Sequence, residues 1–162
     1  NIEKPRYYTV SDITYAQVDA WFGHTTRDLK LNLIYPQSRS KKVPCIIWIC
    51  GGGWIRMDKS AHLAYLAKLA LNGFAVASVE YRTSNEGAYP MPLEDVKAAI
   101  RYLKAHAERY SLDENKFGVP FISIIQARFR LVALFIRRQT LQLFRINRLL
   151  RQAQVWSRLC SE

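Results

Sequence analysis

Residue type and spacing first suggest chemistry at Cys50-Gly51-Gly52-Gly53-Trp54. Three successive glycines leave backbone N–H groups unobstructed by side chains. Such groups can bind the negative charge that develops on an attacked carbonyl oxygen, and one donor of this kind contributes about 2.7–4 kcal/mol to the transition state. Two other readings compete. A bare triple glycine also makes a plain turn, and glycine-rich loops cradle phosphates; the phosphate reading is the weaker, because neither GK[ST] nor GxGxxG follows. His24, His62 and His106 are scattered singly, no CxxC pair occurs, and Cys45, Cys50 and Cys160 make an odd set. No structural metal, cofactor or disulfide framework is expected from these residues.

The elements around the glycines decide how they are held. Residues 43–50 form a nearly unbroken apolar run, Cys45-Ile46-Ile47-Trp48-Ile49-Cys50, which reads as a strand covered on both faces, with Cys45 and Cys50 facing opposite sides. Before it, residues 13–18 and 29–35 alternate apolar and polar side chains as an antiparallel pair, joined by a turn at residues 23–28. After the glycines, residues 59–72 space Leu63, Leu66 and Leu69/Ala70 as one helical face, and Gly73 is placed to end that helix. Residues 74–79 make another buried strand. From Pro92, a second helix buries Leu93, Val96, Ala99/Ile100, Leu103 and Ala107, with Glu94, Lys97, Arg101, Lys104 and Glu108 outside. Residues 116–119 begin a further strand. This alternation predicts an α/β fold, a mostly parallel sheet with antiparallel N-terminal strands.

Several of these segments together resemble the α/β-hydrolase superfamily, specifically the bacterial esterase group related to acetyl xylan and feruloyl esterases and to hormone-sensitive-lipase-like enzymes. The resemblance rests on Cys50-Gly51-Gly52-Gly53-Trp54, then Val79-Glu80-Tyr81-Arg82, then the helix opening Pro90-Met91-Pro92-Leu93-Glu94-Asp95, in that order. It covers about two thirds of the chain, residues 15–119. It implies a serine ester hydrolase in which the backbone N–H groups of Gly52 and Gly53, with Trp54 adjacent, form the oxyanion hole. The family usually has histidine where Cys50 stands, which alters how the loop is anchored more than whether it can donate. Tyr81, Arg82 and Asp95 are read as structural supports. The implied substrate of an intact relative is a small ester or an acylated carbohydrate.

In that family the strand at Phe117-Gly118-Val119 runs into G-x-S-x-G, whose serine is the nucleophile. Here the stretch is Phe121-Ile122-Ser123-Ile124-Ile125, so Ser123 falls in register while bulky side chains replace both glycines. The triad acid and histidine would follow the serine, and all three histidines precede it. The expected fold is therefore an incomplete α/β-hydrolase, inactive as written.

Composition also breaks near Pro120. Of the net charge of +11, residues 1–120 carry 16 Lys/Arg against 12 Asp/Glu, and residues 121–162 carry 8 against 1. The latter segment, expected to be helical, lacks Gly, Pro, Lys, Asp, His and Tyr and is rich in Arg and Leu. Its readings are a basic amphipathic helix, a fused C-terminus, or translation in a shifted frame, with the shifted frame favoured. The rival function is then a non-catalytic binding or scaffold protein using that helix, although its arginines do not share one face. One domain (residues 1–120) plus this atypical tail is expected. Neither nucleic acid nor a membrane is expected as a partner, and an uncovered sheet edge would favour self-association. The opening residues lack a secretory signal pattern, which leaves the compartment open.

Overall fold

A computed structural model of the chain describes residues 6–37 and 41–119. Five strands form one mixed sheet: β1 (Tyr7–Ala20), β2 (Thr25–Pro36), β3 (Val43–Ile49), β4 (Ala75–Val79) and β5 (Leu112–Gly118), in the spatial order β1-β2-β4-β3-β5. The first two strands pair antiparallel, as does β2 with β4. The β3–β4 and β3–β5 pairs are parallel. Helix α1 (Leu63–Leu71) connects β3 to β4, and α2 (Met91–Ala105) connects β4 to β5.

The period of two in the strands distributes the core over both faces. Cys45 and Ile47 of β3, Ala75, Ala77 and Val79 of β4, and Leu29, Leu31 and Leu33 of β2 pack with Ala99 and Leu103 of α2. The alternate residues Ile46, Trp48, Val76 and Ile34 pack with Leu66, Leu69 and Ala70 of α1. One helix thus covers each face, which is why β3 and β4 read as unbroken apolar runs. The predicted outward positions Glu94, Lys97, Arg101 and Lys104 are exposed on α2, and Glu108, also exposed, lies past its end at Ala105.

Several boundaries differ from the expectation: β1 and β5 begin at Tyr7 and Leu112, ahead of residues 13 and 116, α2 ends at Ala105, and two further shifts have local causes. Helix α1 begins at Leu63 rather than near Lys59, because the preceding segment is bound elsewhere: Ser78 Oγ donates to the Lys59 carbonyl at 2.7 Å, and the Ser60 N–H donates to Asp58 Oδ1 at 2.7 Å. Polar capture of this kind competes with helical hydrogen bonding. The β1–β2 turn lies at Trp21–Gly23 with His24, and β2 already starts at Thr25. Trp21, Phe22 and Gly23 take positive φ values of 51°, 57° and 88°, a conformation that aromatic residue types do not advertise. Gly73, also left-handed, ends α1 as expected, and its N–H donates to the Ala70 carbonyl at 3.0 Å.

Candidate functional site

Because β3 is parallel to both β4 and β5, the carboxyl ends of three strands meet at one sheet edge. The glycine segment leaves β3 there, and residues 80–90 leave β4 beside it. The β1–β2 hairpin tip projects past the same side of the sheet, since Leu31, midway along β2, stands opposite Val79 at the end of β4. Open α/β sheets bind ligands at such carboxyl edges.

Within the segment, the Gly52 carbonyl accepts from the N–H groups of Ile55 and Arg56 at 3.2 and 3.1 Å, closing a tight turn. The Arg56 carbonyl oxygen would lie 2.0 Å from a Cβ on Gly52, so only glycine fits. Gly53 follows at φ 63° and Trp54 at φ 69°. Gly52 and Gly53 are exposed, and neither N–H donates to an acceptor among the described residues. The two amides are therefore available to a ligand, as an oxyanion site requires.

Both ends of the turn are clamped by the segment that follows β4. The fully buried Tyr81 donates its hydroxyl to the Cys50 carbonyl at 2.8 Å, and its ring meets Trp54 edge-on at 5.9 Å. Burial, with a smaller contribution from the Cys50 thiol, pushes the Tyr81 hydroxyl up to about 12, so it remains a donor. The N–H and Oγ of Ser84 both donate to the Trp54 carbonyl, at 2.8 and 3.2 Å. Cys50 lies buried beneath the turn, its Sγ 3.9 Å from Nδ1 of His62, the residue just before α1.

Arg82 and Asp95 form the pair that holds this clamp to α2. Nε and Nη2 of Arg82 donate to the two Asp95 carboxylate oxygens at 3.0 and 2.7 Å, and the Arg82 N–H adds a third bond at 2.9 Å. Nη1 reaches the Asp19 carbonyl of β1 at 3.1 Å. Hydrogen bonding to Asp95 raises the guanidinium pKa despite burial. Neither residue is a lone surface charge. Nearer the hairpin, Arg27 pairs with both Glu80 and Glu86. The signal for these pairs was weak in sequence, since 13 residues separate Arg82 from Asp95 and 53 separate Arg27 from Glu80.

Beside the glycine turn lies a mostly apolar cavity of about 240 Å³, lined by Trp54, Ser84, Gly87, Ala88, Tyr89, Pro92 and Leu93. Gly52, Gly53 and Trp54 follow one another in this turn at the carboxyl end of β3. Ser123 and the tail lie outside the described residues. Among the described residues no group of His, Cys, Asp and Glu could hold a metal ion, and no helix is long and apolar enough to cross a membrane.

A known family spans most of these elements. The BD-FAE family model matches residues 31–123, more than half the chain, from β2 through the glycine turn, the clamp and β5 to Ser123. The chain belongs to the BD-FAE family. This BD-FAE chain is 29% identical over 128 residues to an acetyl esterase of Salmonella schwarzengrund, covering 73% of the chain and 39% of that protein. A bacterial heroin esterase structure superposes with a TM-score of 0.57 at 28% identity, covering 74% of the chain and 35% of the other. A truncated carbohydrate esterase from gut microbiota gives 0.58 at 29% identity, covering 74% and 40%. The fold is that of the α/β-hydrolase esterases, and the chain spans less than half the length of each of these relatives.

Proposed function

We propose that this chain carries the oxyanion-stabilising part of a carboxylic ester hydrolase site whose substrate is an acylated carbohydrate. The observation that supports it is the pair of exposed, unengaged amides of Gly52 and Gly53 at the carboxyl edge of the parallel strands. An ester carbonyl placed against them gains stabilisation as its oxygen becomes negative during attack, and the clamped turn needs no rearrangement at that moment. The apolar cavity beside Trp54 would exclude water from one side of the ester. The likeness to a carbohydrate esterase favours an ester borne on sugar.

Attack itself needs a nucleophile and a base. Ser123 stands in the nucleophile's register between Phe121 and Ile125, whose side chains oppose the sharp elbow that exposes such a serine. His24, His62 and His106 all precede it in sequence, against the family's order. The chain as written is accordingly inactive. Hydrolysis of p-nitrophenyl acetate tests this: the purified chain should match its Gly52→Ala variant and the buffer rate. Turnover that disappears in both Gly52→Ala and Ser123→Ala would overturn the inactivity while upholding the oxyanion site.

A further inference from the structure

The β1–β2 hairpin tip is unusual for a solvent turn. Trp21 and Phe22 are 58% and 71% exposed, side by side, with both backbones in the left-handed region that hairpin turns normally fill with Asn, Asp or Gly. Neither ring belongs to a core cluster of the described residues, and such departures from local preference concentrate at functional sites. The tip projects from the same side of the sheet as Gly52 and Gly53, and the Arg82–Asp19 and Arg27–Glu80 contacts tie its strands to the segment that follows β4.

Charge and area select the occupant. Asp19, two residues before Trp21, is exposed, as are Thr25 and Thr26 beyond the tip, and the exposed Asp28 further along β2 accepts from Gln17 Nε2. Arg27, the neighbouring cation, is engaged by both Glu80 and Glu86. Acidic flanks oppose an anionic membrane surface, which attracts Lys and Arg. Two aromatic side chains offer about 150–250 Å² each, well below the roughly 800 Å² per partner of a stable dimer. A ligand that stacks apolar C–H faces on rings and donates hydroxyls to carboxylates fits both limits.

We propose that the Trp21–Phe22 tip is a carbohydrate-binding subsite that holds the sugar portion of an acylated glycan beside the glycine turn. The proposal rests on the ester-hydrolase reading for its substrate class, but its test uses sugars that carry no ester. Cellohexaose, xylohexaose and mannohexaose are titrated into the full chain and followed by tryptophan fluorescence and amide shifts, with neutral phosphatidylcholine vesicles and sedimentation as parallel arms. Saturable binding of at least one hexasaccharide is expected, weakened at least tenfold in Trp21→Ala and in Phe22→Ala. It should change less than twofold in Tyr7→Ala, an exposed aromatic at the opposite end of β1. The subsite is overturned by no hexasaccharide binding, by equal binding in the tip variants, or by tip-dependent vesicle binding or dimerisation in its place. Absent sugar binding while the Gly52 and Gly53 amides still respond to acetate sinks the subsite alone; the reverse pattern sinks the oxyanion reading alone.

Discussion

The Tyr81 hydroxyl donates to the Cys50 carbonyl across 31 residues of sequence, tying the end of β4 to the residue that opens the glycine turn. Tyr81 is fully buried, so removing its hydroxyl leaves that carbonyl without its partner in a dry site. Tyr81→Phe should cost about 1–3 kcal/mol in urea denaturation and shift the Gly51 and Gly52 amide resonances while leaving those of α1 in place. Unchanged turn resonances would mean that the hydroxyl does not set the turn.

Arg82 and Asp95 make a stronger prediction because both are buried and share three hydrogen bonds. Asp95→Ala strands a buried guanidinium and should destabilise the chain by about 3–5 kcal/mol. Arg82→Lys keeps the charge but not the two-pronged geometry, and should retain only part of the stability. Equal losses in chemical denaturation for the two variants would show that charge removal is not the governing factor.

The two exposed glycines should fail differently. Alanine at Gly52 would put Cβ 2.0 Å from the Arg56 carbonyl, a backbone atom that cannot turn aside. Gly52→Ala should therefore open the turn and weaken the bonds from Ile55 and Arg56, read as faster hydrogen exchange of those two amides. Gly53 has open space around it but φ 63°, so Gly53→Ala should cost only about 1–2 kcal/mol and leave the exchange of Ile55 and Arg56 unchanged. The same response from both variants would contradict this reading of the turn.

Alkaline pH probes the core. Burial holds the Cys45 thiol above its ordinary value of 9.0, and the Tyr15 and Tyr81 hydroxyls above 10.0, Tyr81 at about 12. Above pH 9 the unfolded chain releases protons that the folded chain retains, so stability falls as pH rises. The urea midpoint should decline from about pH 9 upward, and Cys45→Ala should delay the onset toward pH 10. A flat profile to pH 11 would contradict the burial of all three groups.

Both helices and the inner strands were legible, the helices from one apolar stripe each and β3 and β4 from unbroken apolar runs. Cys45 to Ile49 reads as a strand buried on both faces, and Val96, Ala99 and Leu103 mark one helical stripe. What stayed illegible depends on distant partners. Ser78 and Asp58 shorten α1 by capturing the segment before it. β1 runs from Tyr7, six residues before its readable alternation, and residues 7–12 are exposed on both faces and so carry no period. At the site, three glycines after a buried strand marked a tight turn, and only the linked motifs around them suggested an oxyanion role. The supports were not: Tyr81, Ser84 and the Arg82–Asp95 pair act through contacts that only the folded sheet edge creates.

The proposed oxyanion site puts the Gly52 and Gly53 amides where an acyl oxygen would become negative. The most direct test follows their amide proton and nitrogen shifts during titration with acetate, whose carboxylate stands in for that oxygen. Saturable downfield shifts are expected at these two amides, lost in Gly52→Ala. Amides that ignore acetate and exchange slowly, as internally bonded groups do, would contradict it.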